Sequence, residues 1–243
     1  MTDTAPATFA AGDKNLEFAV IPATEGNDGY DISALLKETG NVTLDVGFVN
    51  TASCKSAITY IDGDAGILRY RGYPIDQLAE KSSFLEVSYL LIYGELPTSE
   101  QLAEFTAKIQ RHTMLHEDLK DLLAAFPRDA HPMSVLSAAV SALGTFYQDS
   151  LSITDKDQVE LSTIRLLAKL PTIAAYAFKK SQGQPTLYPD NNLDLVENFL
   201  RLTFGYPTED WTPNPVVTKA LDQLFILHAD HEQNCSTSTV RLV

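Results

Sequence analysis

The feature that most constrains this chain is a change of hydrophobic period at Pro74. Upstream, apolar residues alternate, as in strands with one buried face; downstream they recur every three or four residues, as along one side of a helix. Residues 15–22 (NLEFAVIP) and 41–49 (NVTLDVGFV) read as strands, with a short helical turn in DISALLKETG between them. In residues 54–75, Ile58, Tyr60, Ile67, Leu68 and Tyr70 flank Asp62-Gly63-Asp64, which is hairpin chemistry. After Pro74 the pattern predicts about nine helices.

Each helix carries its own start or stop signal. FLEVSYLLIYG ends on Gly94, and the helix from Ser99 to about Thr113 opens with a Thr98–Gln101 capping box. Pro127 ends the helix from His116 to Phe126, and Pro132 starts an uncharged one running to Tyr147. A helix over 157–169 is expected to kink or restart at Pro171, with TIAAYAFKK continuing it. Another spans Leu193 to Phe204, and a last one follows Asn214-Pro215. The expected fold class is mainly α: a multi-helical domain over residues 74–243, a small β-containing segment over 15–73, and a disordered N-terminus over 1–14.

In the last helix, Val217, Ala220, Leu221, Leu224, Phe225 and His228 fall on one face. That stripe runs into His231, with Asp230, Glu232, Gln233 and Asn234 around it. At i and i+3, His228 and His231 suit a shared ligand or metal, but HADHE matches neither zincin template and no third ligand is nominated. The alternative is a satisfied core histidine followed by a helix-end histidine. His112 and His116, at i and i+4, read as an exposed ion-paired face. Asp62 and Asp64 read as turn residues, while Arg69 and Arg71 share a strand face that suits an anion or a carboxylate.

Composition narrows the function classes. Lys+Arg count 18 against Asp+Glu 32, a formal charge of −14, which disfavours nucleic acid and anionic membranes as partners. The segment 130–148 lacks formal charge but contains Pro132, three serines, Thr145 and Gln148, so it reads as a buried helix rather than a membrane span. Two distant cysteines, Cys54 and Cys235, lack metal spacing and suit a reducing cytoplasm. There is no dinucleotide fingerprint, P-loop or nucleophile elbow.

The tail LHADHEQNCSTSTVR (227–241) resembles the histidine motif of bacterial citrate synthases. ITYIDGDAGILRYRGYPI (58–75), SYLLIYGELPT (88–98), FPRDAHPM (126–133) and LYPDNNL (187–193) follow the order that family shows. The resemblance implies a citrate synthase-like large domain, and a reaction of acetyl-CoA with oxaloacetate that needs no metal or prosthetic group. His231 matches the oxaloacetate-binding histidine, His228 and Asn234 its supports, and Ser236 a position close to the enol-stabilising histidine. The catalytic histidine and aspartate segments and the small domain would lie beyond Val243. No catalytic residue is therefore assigned on this chain, and the chain alone is expected to be inactive.

The resemblance also implies a homodimer or hexamer formed through the Ala-rich segments 131–147 and 163–178. Arg111, His112, Met114, Tyr147, Arg165 and Lys169 match residue types of the NADH regulatory site found in a bacterial subgroup. A cysteine of that site reads Thr208 here. Two rivals stand beside the citrate synthase reading: 2-methylcitrate synthase, using propionyl-CoA, and a non-catalytic helical interaction subunit.

Overall fold

A computed structural model describes residues 5–242 of the chain. They form two compact units, one holding the residues up to Leu68 and those from His231 on, the other Arg69–Asp230.

The first unit opens with β1 (Ala7–Ala11) paired antiparallel to β2 (Lys14–Phe18), Ala7 facing Phe18 and Ala11 facing Lys14. The expectation of disorder over 1–14 is thus corrected for its described part. Gly12, at φ 65°, makes the two-residue turn with Asp13, and the Phe9 and Phe18 rings meet at 6.0 Å. Two-residue strands β3 (Val20–Ile21) and β4 (Gly29–Tyr30) pair next, and α1 (Leu35–Thr39) ends on Gly40. β5 (Thr59–Asp62) leads into a turn in which Asp62 Oδ1 accepts from the Ala65 amide at 2.9 Å, and β6 (Ile67–Tyr70) follows.

No strand forms over residues 41–49. The Asp45 carboxylate instead accepts from the amides of Val49 (3.2 Å) and Asn50 (2.8 Å) and from the Thr51 hydroxyl (2.8 Å), folding the segment into a loop. Those bonds hold its carboxyl below the usual carboxylate range, the Thr51 bond contributing most. Alternation supplies the side-chain pattern of a strand, but a strand also needs an edge for its backbone groups.

The second unit begins within β6, which pairs antiparallel with β7 (Tyr73–Pro74). Their turn, Arg71-Gly72, has positive φ at both residues (49° and 87°), as a tight two-residue hairpin requires. α2 (Ile75–Lys81) precedes α3 (Phe84–Tyr93), which is capped reciprocally by Ser83 and Glu86 and closed by Gly94. α4 (Ser99–His112) carries the Thr98–Gln101 capping box read from the sequence. Histidines cap the next two: His116 Nδ1 accepts from the Asp118 amide before α5 (Glu117–Ala125), and His131 Nδ1 from the Met133 amide before α6 (Pro132–Phe146). The His112–His116 pair therefore spans a helix end and does not lie on one helical face.

α7 (Lys156–Gln182) runs as one continuous helix through Pro171, so of the expected kink or restart the restart does not occur. A proline inside a helix costs about 3 kcal/mol. Burial of Ala168, Thr172, Ile173, Ala175 and Tyr176 around it offsets that cost, at about 1.5–3 kcal/mol for each large apolar side chain. α7 packs on α4, α5 and α6 and on α8 (Leu195–Phe204), so it is the axis of the unit's core. α9 (Pro215–Leu227) starts behind Asn214, whose Oδ1 accepts from the Val216 amide at 2.9 Å. The chain then returns to the first unit, where Asn234 Oδ1 accepts from the Thr237 amide at 2.8 Å and opens α10 (Cys235–Leu242). No described helix is long and apolar enough to cross a membrane.

Candidate functional site

α9 is rotated relative to the expected stripe. Ile226 is fully buried, Leu221, Asp222, Gln223 and Phe225 are half-buried, and Val217 and Leu224 stand 49% and 50% exposed. The cause is polar. Asp222 Oδ1 accepts from the Phe84 amide at 2.9 Å and Gln223 Nε2 donates to Ala79 O at 3.1 Å. These bonds satisfy open groups at the start of α3 and the end of α2, which turns that face of α9 inward. Burial raises the Asp222 carboxyl above its ordinary value against the opposing Phe84 bond and the Lys219 charge.

The helix stops at Leu227, so His228 and His231 do not share a helical face. His228 is the C-cap. Its amide donates to Leu224 O (3.2 Å) and Phe225 O (3.3 Å), and its Nδ1 lies 2.7 Å from Leu224 O. A carbonyl can only accept, so that contact places a proton on Nδ1 and fixes that edge of the ring against the helix.

Beneath the cap lies Tyr70, wholly buried, its hydroxyl donating to Ile226 O and accepting from the Asp230 amide, both at 3.2 Å. Burial is the main reason its hydroxyl is held above the ordinary tyrosine range, so it stays protonated. Sequence reading assigned Tyr70 to a strand and no more. The aromatic at an inward strand position signals burial, but nothing in the sequence shows that its hydroxyl reaches Ile226.

His231, Asn234 and Ser236 belong to the first unit. His231 is exposed in a non-helical turn, and Glu232 beside it takes φ 62°. Asn234 caps α10 and Ser236 is exposed on its first turn. Gln233 Nε2 lies 2.7 Å from Cys54 Sγ, tying this segment to the loop before β5. Both cysteines are free thiols.

The residues read as NADH-regulatory in type, although far apart in sequence, gather in the second unit around α7. Lys169 Nζ donates to His112 O (2.7 Å) and Met114 O (2.6 Å) and stands 4.9 Å from the Tyr147 ring centroid. The Arg165 guanidinium lies over the same Tyr147 ring, 4.5 Å from its centroid, and pairs with Asp149 through two bonds of 2.6 and 3.0 Å. Burial brings Lys169 down to about 8, with Arg165 repelling it further. Burial also lowers His112, helped by Lys169, Arg165 and Arg111. Arg111 ends α4 beside His112 and is exposed. Lys169 Nζ and the two Arg165 Nη groups are thus engaged inside the fold, whereas the buried Arg165 Nε has no hydrogen-bond partner.

The family described as "Citrate synthase, C-terminal domain" matches residues 47–243. Citrate synthase 1 of Mycobacterium tuberculosis is 69% identical over 241 residues, covering 99% of this chain and 56% of that protein. Citrate synthase of Corynebacterium glutamicum is 56% identical over 227 residues, covering 93% and 52%. Among solved structures, citrate synthase from Pyrobaculum aerophilum superposes with a TM-score of 0.68 at 36% identity, covering 76% of this chain and 47% of that one. The Thermotoga maritima citrate synthase gives 0.67 at 31%, covering 80% and 49%. The chain belongs to the citrate synthase family. It spans about half the length of the curated relatives it matches.

Proposed function

We propose that this chain supplies the oxaloacetate-binding wall of a citrate synthase. The observation that carries the reading is 69% identity, across nearly the whole chain, to a protein named citrate synthase. In the reaction, a carboxylate takes a proton from the acetyl-CoA methyl group and a histidine stabilises the enol. The enol carbon then attacks the oxaloacetate ketone, whose oxygen becomes the citrate hydroxyl, and water cleaves the citryl thioester to free CoA. His231 contributes a donor to oxaloacetate, and His228, Asn234 and Ser236 shape the segment around it. The chemistry needs no metal or prosthetic group.

The working form is a homodimer or hexamer. The open face of α6 carries Ser134, Ser137, Ser141 and Thr145, without formal charge, and such small side chains allow close helix pairing with the same face or with the 163–178 part of α7 in a second copy. The free thiols suit a cytoplasmic setting. The Lys169 cluster acts as a structural brace in this reading, since its cations are committed to backbone and Asp149.

The test is CoA release by a polypeptide extending this chain with the remaining segment of the M. tuberculosis relative. Oxaloacetate-dependent turnover with acetyl-CoA, well above that with propionyl-CoA, is the expected result. A preference for propionyl-CoA, or no turnover by a folded product, contradicts the proposal.

A further inference from the structure

We propose that Tyr70 is a positioning residue for His228: one buried hydroxyl ties both sides of the turn that presents this histidine, and so fixes its ring toward oxaloacetate. The role toward oxaloacetate rests on the function proposed above; the clamp itself rests on geometry alone.

The last carbonyls of a helix lack intrahelical donors, and the turn that follows is the part most ready to fray. Here Ile226 O, at the end of α9, accepts from the Tyr70 hydroxyl and from the Ala229 amide. The Asp230 amide, past the end of the helix, donates to the same hydroxyl oxygen. Leu227, His228 and Ala229 lie between the two tied points. Their backbone cannot rotate without breaking a bond to a group that water cannot replace, because Tyr70 is 0% exposed.

The anchor is itself fixed. Tyr70 ends β6 opposite Tyr73 in a hairpin whose turn is held by paired positive-φ residues, and Arg71 Nη2 donates to Leu91 O at 2.9 Å in α3. Ile226, the other end of the clamp, is also 0% exposed. His228 is thus held from below by a rigid hairpin and along its own helix by Leu224 O. Fixing a ring's orientation and tautomer through buried partners is how a binding histidine is kept ready for its ligand.

The experiment uses the whole 243-residue chain, labelled with ¹⁵N, with histidine-ring and amide exchange spectra recorded for wild type and Tyr70→Phe. In wild type, His228 is expected as the Nδ1–H tautomer and the Asp230 amide as protected. In Tyr70→Phe, Asp230 exchange is expected to rise roughly tenfold, the loss of one hydrogen bond, and His228 to become a mixture of tautomers. His112, His116 and His131 should stay unchanged. An unchanged His228 in a folded variant overturns the proposal, as does a shift of all the histidines together, which would mark general loosening. If Tyr70→Phe fails to fold, the wild-type Asp230 amide decides: protection supports the clamp, and exchange at the free-peptide rate overturns it. No substrate enters this readout, so failure of the citrate synthase reading appears only in the turnover assay and is distinguishable.

Discussion

Lys169 shows how one residue can set a pH dependence. Its ammonium is 2% exposed, hydrogen-bonded to two carbonyls, and accompanied by the repelling Arg165. Its native value is about 8 against an ordinary 10.5. Between those values the unfolded chain holds a proton that the native chain has released, so stability rises as pH increases through the window. Below about 8 both states are protonated and the full cost of burying the charge is present. Urea titrations of wild type and Lys169→Met from pH 7.5 to 9.5 should diverge by roughly 1–2 kcal/mol, with the upward slope seen only in wild type. Parallel slopes would show that Lys169 does not titrate there.

The histidines were legible as residue types and much less so as geometry. HADHE at the end of an apolar stripe reads as a helix continuing through His231. The helix stops at Leu227, where the Ala229 amide turns back onto Ile226 O and the Tyr70 hydroxyl donates to that same carbonyl. That anchor comes from a residue 156 positions away, beyond any local pattern. The Lys169 cluster was likewise reachable only through family resemblance, since α4, the turn after α6 and α7 bring its members together.

At the scale of elements, local chemistry was easier to read than pairing. The Thr98–Gln101 capping box, the Asn214-Pro215 start and the Gly94 stop are written in neighbouring residues and all form, and the structure adds a Ser83–Glu86 box beyond those read from the sequence. α7 depends on one such signal, Asp155, whose Oδ1 accepts from the amides of Asp157 (3.0 Å) and Gln158 (3.2 Å). Asp155→Ala should cost about 1 kcal/mol in chemical denaturation, and Asp155→Ser should recover most of it. Equal losses in both would assign the effect to something other than the cap.

The segment 41–49 shows the opposite case, a strand pattern with no edge to join. Val42, Leu44 and Val46 are 74%, 89% and 87% exposed. Replacing all three with serine should change stability by less than about 0.5 kcal/mol per site. Asp45→Ala, which removes the acceptor that closes the loop, should increase proteolysis within 41–51 while leaving the melting of the helical unit unchanged. A large loss of global stability from the serine variant would mean that these side chains are buried in solution.

For the whole molecule, the apolar core is concentrated around α7, whereas the first unit's buried apolar side chains among the described residues are Phe18 and Leu35. Periodicity located the helical core, but alternation upstream implied a buried strand face that Val42, Leu44 and Val46 do not have. The division at His231 was not legible. The sequence joins 231–243 to the last helix, whereas the structure groups it with the residues up to Leu68, Gln233 reaching Cys54 across 179 positions.

The central claim is that this segment binds oxaloacetate within a citrate synthase, and it is tested most directly at His231. In the extended, active polypeptide, His231→Gln should raise the KM for oxaloacetate at least about tenfold while the KM for acetyl-CoA stays within about twofold, the loss of one charge-assisted donor to the diacid. An unchanged oxaloacetate KM would contradict the assignment.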